Sequence, residues 1–151
     1  DIMPSLVGSE MCIRDSVYRE AEPSTAPKAQ PPAAQAGDHV MEVVPTAPLL
    51  FRYSALTFNG HRIHYDKPYA TGVEMYPGLV VHGPMQATML YHFATRLRGR
   101  APATFAFRSL STLFDDTRFT LNATEENGAF NLWTARPGGP VAMSATASFD
   151  S

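Results

Sequence analysis

The chain has 151 residues and a net charge of −2 at pH 7, with 44% hydrophobic and 17% charged residues. This length suits one domain with a buried core. The charge balance excludes a nucleic-acid or anionic-membrane surface, because those partners need clustered Lys and Arg, and no apolar run approaches the ~20 residues of a membrane span.

The first residues are expected to be foreign to the natural protein. Residues 6–16 read as the translation of a common transposase sequencing adapter, so residues 1–16 are predicted to be an unstructured artefact. They contain Cys12, the single cysteine of the chain. The rest of the sequence therefore offers no disulfide, no zinc-thiolate site and no cysteine nucleophile.

The range 17–48 is predicted to be a linker. It is rich in Pro, Ala and Gln, and such a composition buries too little apolar surface to offset the entropy of ordering. Residues 40–44 within it are predicted to form a short extended piece. A linker near the start indicates that a folded domain precedes it, so the natural protein is expected to be longer.

Residues 49–151 are predicted to form the folded domain. Residues 49–56 are apolar and aromatic, which predicts a strand. The polar range 59–69 contains Gly and Pro and is predicted to be a loop, with one short helical turn around residues 65–70.

The strongest helix signal in the domain covers Gly83–Arg98. Apolar residues recur there at helical spacing: Met85, Met89, Leu90, Phe93, Ala94 and Leu97. Pro84 suits the first helical turn, where its missing N–H is harmless, and Gly99 suits a left-handed C-cap. The pattern predicts a helix with one apolar face directed at a core.

After Pro102 the hydrophobic period changes to two, which predicts antiparallel strands. The strands are predicted at residues 104–111, 117–124, 130–135 and 141–149, with a hairpin turn at Asn127-Gly128. They are expected to form a meander. A curved antiparallel sheet wrapped around the central helix Gly83–Arg98 would bury its apolar stripe, so the predicted fold class is α+β.

Two short segments carry the residue types that acid–base chemistry needs. The loop 57–66 contains Asn59, His61, Arg62, His64 and Asp66. The segment 81–83 places a His-Gly pair directly before the predicted helix. An imidazole can exchange protons near pH 7, and N–H groups at a helix start can stabilise an oxyanion. Together they favour adding water to a polarised double bond, or removing it.

These segments resemble the MaoC-like, R-specific enoyl-CoA hydratase motif of hot-dog proteins, Asp-x-Asn-Pro-aliphatic-His. The corresponding residues are Asn59, His61, Arg62, Ile63 and His64, with Asp66 and Ala70 at the acidic and small positions that follow. The segments 58–66 and 76–83 are most similar to the group of mesaconyl-C4-CoA (3-methylfumaryl-CoA) hydratases, itaconyl-CoA hydratase-type proteins and 3-hydroxyacyl-thioester dehydratases. The resemblance implies a hot-dog fold and makes this chain the C-terminal repeat of a two-repeat protein.

The resemblance implies catalytic roles for three residues. His64 is expected to be the general base and acid. Asn59 stands where the family has Asp, and an amide cannot act as a base, so Asn59 is expected to position the attacking water. Asp66 is expected either to be a second acid–base group, to orient His64, or to cap a helix, and the sequence leaves these alternatives open.

Four further residues are expected to contact substrate. Gly83 is expected to direct its backbone N–H at the thioester carbonyl. Arg62 is a candidate for CoA phosphates, His82 for substrate positioning or packing, and His61 for a loop hydrogen bond near the substrate. A metal pair of His61 and His64 would need a third ligand, and no metal site is predicted.

The implied activity is an acyl-CoA hydratase/dehydratase, a hydro-lyase that interconverts an enoyl thioester and a 3-hydroxyacyl thioester without a metal or redox cofactor. CoA or an acyl-carrier thioester is the expected substrate. The alternatives are a hot-dog thioesterase and a non-catalytic thioester-binding repeat. The expected partner is a second copy, forming a homodimer, or a missing N-terminal hot-dog repeat. The expected location is the bacterial cytoplasm, or the mitochondrion in a eukaryote.

Overall fold

The computed structural model describes residues 31–150, and the predicted adapter segment 1–16 lies outside this range. The elements in chain order are β1 (His39–Val43), α1 (Ala47–Leu56), a 3₁₀ turn (Arg62–His64), α2 (Lys67–Gly72), α3 (Gly83–Arg98), β2 (Thr104–Ser109), β3 (Phe119–Glu126), β4 (Ala129–Ala135) and β5 (Val141–Ser148). No helix within the described residues is long and apolar enough to cross a membrane. The turn Arg62–His64 is called the histidine turn below.

The five strands form one antiparallel sheet in the order β1-β3-β4-β5-β2. All four strands predicted after Pro102 are present. Asn127 and Gly128 have φ angles of 51° and 80°, as the predicted tight hairpin turn requires. The predicted meander is right for β3, β4 and β5, but β2 pairs with β5 at the far edge and not with β3.

The predicted central helix is confirmed as α3, and it packs against β2, β3, β4 and β5. Its buried apolar residues are Met85, Ala87, Leu90, Phe93 and Ala94. Phe119, Leu121 and Ala123 alternate along β3 to meet them, as a strand with one buried face does. Gly99 ends the helix in the left-handed conformation, with φ 77°. The observed architecture is α+β, as predicted.

The predicted strand at residues 49–56 is wrong, because this segment is the helix α1. Thr46 caps it by accepting a hydrogen bond from the backbone N–H of Leu49, and a proline occupies its first turn. Leu50 and Ser54 are buried four residues apart, while Phe51 is 58% exposed. The helical period was hidden because apolar residues also occupy the exposed face.

The range 17–48, predicted as a linker, contains ordered structure in its described part. The extended piece predicted at residues 40–44 is β1, which pairs with β3 along five residues. Before it, Gln35 accepts a hydrogen bond from the indole N–H of Trp133 through its backbone oxygen, and Gly37 N–H donates to Asn122. The sheet therefore includes residues that precede residue 49, the predicted start of the domain.

An extended segment, residues 78–82, links α2 to α3 and lies against residues 113–115. Val81 N–H donates to Leu113 O at 2.8 Å, and Asp115 N–H donates to Leu79 O at 2.9 Å. The buried Asp115 carboxylate accepts from Leu79 N–H at 2.7 Å and pairs with Lys67 at 3.1 Å. These bonds determine where the segment delivers the start of α3.

Gly78 is required where the segment meets Asp115. A Cβ on Gly78 would collide with Asp115 Oδ1, which is held by Leu79 N–H. We therefore expect Gly78→Ala to lower the free energy of unfolding by about 1–3 kcal/mol in urea denaturation, the usual cost of overpacking. Gly72→Ala is the matched control, since a Cβ there meets nothing within 4 Å. Equal stability of the two variants would contradict the steric argument.

Candidate active site

His64 lies at the end of the histidine turn and is 8% exposed. Its Nδ1 is 2.8 Å from the backbone oxygen of Val80. A carbonyl oxygen can only accept, so Nδ1 carries the hydrogen, and in the neutral ring Nε2 holds the lone pair. Val80 also donates its own N–H to Ile63 O at 2.9 Å. One residue of the 78–82 segment thus holds the histidine turn and selects the tautomer that a general base needs.

His82 stacks on His64 with nearly parallel rings, 3.7 Å between centroids and 17° between planes. It is 1% exposed, and its Nε2 is 2.8 Å from Ser54 Oγ on α1. Burial, reinforced by the neighbouring His64, lowers the pKa of His82 from 6.5 to about 3. His82 is therefore neutral at physiological pH.

Gly83 is the first residue of α3, directly after His82. The first N–H groups of a helix have no partner within the helix and carry its positive partial charge. A groove of about 280 Å³ opens at this point. It is lined by Val80, Val81, Gly83, Gln86, Ser109, Leu110, Ser111 and Thr112. A Cβ at position 83 would make only ordinary contacts with Ser109 Oγ at 3.4 Å and Met143 Cε at 4.0 Å, so packing alone does not demand glycine.

Asn59 and His61 lie together at the start of the loop that leads to His64. Asn59 Oδ1 accepts a hydrogen bond from His61 N–H at 3.1 Å, and Asn59 N–H donates to Ser54 O at 2.8 Å. The His61 and His64 rings meet edge to face, with centroids 5.7 Å apart. Asn59 also lines a second groove of about 270 Å³ with Phe51, Ser54, Ala55, Phe58, Gly60 and Tyr65.

Asp66 occupies the N-cap position of α2, where its carboxylate accepts from Tyr69 N–H at 3.1 Å. Its other oxygen accepts two hydrogen bonds from Arg62, at 2.8 and 2.9 Å. The Arg62 guanidinium, followed by the Tyr69 N–H, lowers the pKa of the Asp66 carboxyl. These contacts fit the capping alternative. An acid–base role for Asp66 and a phosphate-binding role for Arg62 stay predictions.

Clusters of three or more residues suited to a metal are absent from residues 31–150. The three histidines of the site are instead engaged with one another, with Ser54 and with the backbone of Val80.

The model of the family described as "hydroxyacyl-thioester dehydratase type 2" matches residues 8–115. The chain belongs to this family. It is 46% identical over 142 residues to the mesaconyl-C(4)-CoA hydratase of Chloroflexus aurantiacus, covering 90% of this chain and 50% of that protein. It is 39% identical over 101 residues to the mitochondrial hydroxyacyl-thioester dehydratase type 2 of Schizosaccharomyces pombe, covering 65% of this chain and 33% of that protein. The chain thus spans half or less of the curated relatives it matches.

The crystal structure of HtdX from Mycobacterium tuberculosis is similar in fold. It superposes with a TM-score of 0.66 at 21% identity, covering 87% of this chain and 52% of that one. An antiparallel sheet around a central helix, shared with this neighbour, is the hot-dog fold. The resemblance in the sequence to MaoC-like hot-dog proteins is confirmed.

The roles of several residues that build the site could not be predicted from the sequence. Ser54 falls in the range predicted as a strand, yet it lies on α1 and is bonded to His82, which is 28 residues further along the chain. Val80 has an apolar side chain that signals no role, because its contacts with the histidine turn are made by its backbone. Gln86 accepts a hydrogen bond from Thr134 at 2.7 Å, and both side chains are buried. A polar residue on the apolar face of α3 was the one available signal for this bond.

The buried, neutral state of His82 gives stability a specific pH dependence. Below pH 6.5 His82 is protonated in the unfolded chain, whereas in the folded protein it stays neutral until about pH 3. Its contribution to the free energy of unfolding is therefore complete above pH 6.5 and is lost as the pH falls, by up to about 1.4 kcal/mol per pH unit.

We expect the free energy of unfolding to fall less in His82→Phe than in the wild type when the pH is lowered from 7 to 5. The two decreases are expected to differ by at most roughly 2 kcal/mol. Urea denaturation of both proteins at the two pH values measures this difference. The other titrating groups are present in both proteins, and of these His64 is in direct contact with the substituted ring. Parallel pH dependences of the two proteins would show that His82 is not held neutral by burial.

Proposed function

We propose that this chain carries the active site of an acyl-thioester hydratase/dehydratase, a hydro-lyase that interconverts an enoyl thioester and a 3-hydroxyacyl thioester. One observation carries the proposal. The 78–82 segment fixes the tautomer of His64 through Val80 and delivers Gly83 as the first residue of α3. A base and an oxyanion donor are thereby held by the same short piece of backbone. The 46% identity to a protein named as a hydratase supports the same activity.

In the hydration direction, His64 is the proton acceptor. Its Nε2 lone pair takes a proton from water as the water oxygen bonds to C3 of the enoyl thioester. The C2–C3 π electrons move toward the thioester, and the negative charge develops on its carbonyl oxygen. The protonated His64 then returns this proton to C2, which completes the addition of H and OH and restores the neutral ring. Dehydration runs through the same steps in reverse.

The backbone N–H of Gly83 is the proposed donor to the developing enolate oxygen. A fixed donor at a helix start stabilises negative charge without reorganisation, and this kind of stabilisation is among the largest in catalysis. The absence of a side chain at position 83, where a Cβ would meet no close packing, lets a thioester approach the backbone. The groove beside Gly83 supplies the approach.

Asn59 is the proposed water-positioning residue. Its Oδ1 accepts from His61 N–H, which directs the amide, and an amide can hydrogen-bond to water but cannot act as a base. His61 therefore acts by orienting Asn59 within the loop. The family motif has Asp at this place, and the amide makes His64 the main proton carrier.

A thioesterase is the less supported alternative. Such an enzyme would use a carboxylate on α3 as base or nucleophile, and α3 contains no acidic residue. Its buried Gln86 is bonded to Thr134. The Ser54–His82 pair has the atoms of a nucleophile and its base, but a pKa near 3 makes His82 too weak a base to activate a hydroxyl at neutral pH.

The substrate is proposed from the name of a similar protein. The relative in Chloroflexus aurantiacus is named for mesaconyl-C(4)-CoA, which makes a branched dicarboxylic enoyl-CoA the first substrate to test. A simple enoyl-CoA and an acyl-carrier thioester are the comparison substrates. The bacterial cytoplasm is the proposed location, with the mitochondrion as the eukaryotic counterpart.

We further propose that β2 pairs with a second hot-dog sheet, supplied by another copy or by a covalent repeat. The strand is at the sheet edge, so one row of its backbone groups lacks a strand neighbour within residues 31–150. Phe107 and Leu110 beside it are 56% and 54% exposed. Sedimentation of the chain is expected to give a dimer that Phe107→Asp converts to monomer. A wild-type monomer would contradict pairing between copies.

The decisive activity test follows loss of enoyl absorbance with mesaconyl-C4-CoA and crotonyl-CoA. We expect turnover by the wild-type chain and a fall in kcat of about 10²–10⁴-fold in His64→Gln, because a positioned proton acceptor contributes that much. His92→Gln is the matched control, since His92 is an exposed histidine on α3. Full activity of His64→Gln would make the mechanism wrong.

Two further outcomes of the same assay separate the alternatives. Binding of acyl-CoA without turnover would favour a non-catalytic repeat, and release of free CoA would favour a thioesterase. Asp66→Asn preserves a good N-cap residue, so loss of kcat in this variant would assign Asp66 to acid–base chemistry or to orienting His64. An unaltered kcat would assign it to capping α2.

A further inference from the structure

The buried pair of Ser54 and His82 has no assigned part in the proposed chemistry, although it lies directly behind the proposed base. The His82 ring covers one face of His64 with centroids 3.7 Å apart, and the Ser54 hydroxyl is 2.8 Å from His82 Nε2. Tyr53, the neighbour of Ser54 on α1, also contacts the His82 ring, with centroids 4.9 Å apart. α1 therefore holds His82 from two adjacent positions.

This arrangement is unfavourable for stability alone. His82 is 1% exposed, and its Nδ1 has no hydrogen-bond partner among the described residues. A buried polar atom without a partner carries a desolvation penalty that an apolar ring of the same shape would avoid. Such a group in a folded protein calls for an explanation beyond packing.

His82 is also unsuited to proton transfer. Burial and the neighbouring His64 hold the pKa of His82 near 3, so the ring is neutral throughout the physiological range. A neutral ring has a compensating advantage at this place. It can lie flat against His64 without placing a positive charge beside the group that must gain one.

His64 is contacted by His82 across one face of its ring and is bonded through Nδ1 to the backbone oxygen of Val80. A hydrogen bond at Nδ1 fixes one atom of the His64 imidazole, and the His61 ring also contacts it, with centroids 5.7 Å apart. A flat neighbour at stacking distance adds a direct constraint on the plane of the ring. The Ser54 hydroxyl does the same for the His82 ring by anchoring Nε2.

We propose that Ser54 and His82 are positioning residues, in which Ser54 anchors His82 and the His82 ring holds the plane of His64 so that Nε2 faces the reacting water. The proposal rests on the proposed function, because it gives the proton-transfer role to His64. Small misplacement of a reacting group slows catalysis by as much as 10²-fold, so a positioning pair acts on kcat.

The first arm of the test needs no activity. Ring NMR of ¹³C,¹⁵N-histidine-labelled protein, with the signals assigned through single His→Gln variants, measures the tautomer of His64 and the mobility of its ring. We expect the hydrogen on Nδ1 in every variant, because the bond to Val80 O is kept. We expect the ring of His64 to be equally rigid in the wild type and in His82→Phe, which keeps a flat neighbour, and more mobile in His82→Leu. Unaltered His64 signals in His82→Leu would overturn the proposal whether or not the chain is active.

The second arm is kinetic. His82→Leu is expected to lower kcat by about 10-fold or more with KM altered less than twofold, because His82 acts through His64. His82→Phe is expected to lower kcat far less. Ser54→Ala is expected to lower kcat several-fold in the wild-type background and to have no further effect in the His82→Phe background, where the anchor has nothing to hold.

The outcomes separate positioning from its rivals. Equal losses of kcat in His82→Phe and His82→Leu would show that the ring nitrogens are needed, and the proposal would fail. Additive effects of Ser54→Ala and His82→Phe would show that Ser54 acts by another route. Thermal melting identifies any variant that fails to fold. If His82→Leu is such a variant, the kcat values of Ser54→Ala, His82→Phe and their combination test the proposal. A wild type without turnover refutes the proposed function alone, because the NMR arm still measures positioning.

Discussion

The site depends on two hydrogen bonds between the backbone of Val80 and the histidine turn. Its carbonyl accepts from His64 Nδ1, and its N–H donates to Ile63 O, so both groups of one peptide residue are used by the histidine turn. The neighbouring Val81 and Leu79 tie the same segment to residues 113–115. A side-chain replacement at position 80 leaves these bonds available. The site is therefore defined by the path of a main chain more than by the identity of an apolar side chain.

The electrostatic arrangement follows from unequal burial of two similar rings. His64 lies at the edge of the protein interior at 8% exposed, whereas His82 is 1% exposed and bonded to Ser54. Desolvation suppresses the charge on the deeper ring first. Of two histidines in contact, the deeper one is thereby held neutral by its surroundings.

Local patterns in the sequence were sufficient for most of the fold and for part of the site. The period of α3, the alternation of the strands and the Asn127-Gly128 turn each depend on neighbours in the chain, and each was confirmed. α1 was missed because Phe51 and other apolar residues occupy its exposed face. The bonds from Ser54 to His82 and from Val80 to His64 join residues 28 and 16 positions apart, and no local period records them.

The buried bond between Gln86 and Thr134 ties the first turn of α3 to the middle of the sheet. A helix that is held only by apolar contacts can slide or turn against a sheet, because dispersion contacts are non-directional. A hydrogen bond restricts this motion, because it requires a defined distance and angle. Turning the helix by one residue would swing its N–H groups through roughly 100°. The bond between Gln86 and Thr134 therefore fixes the rotation of the first helical turn about its axis, and with it the position of the Gly83 N–H.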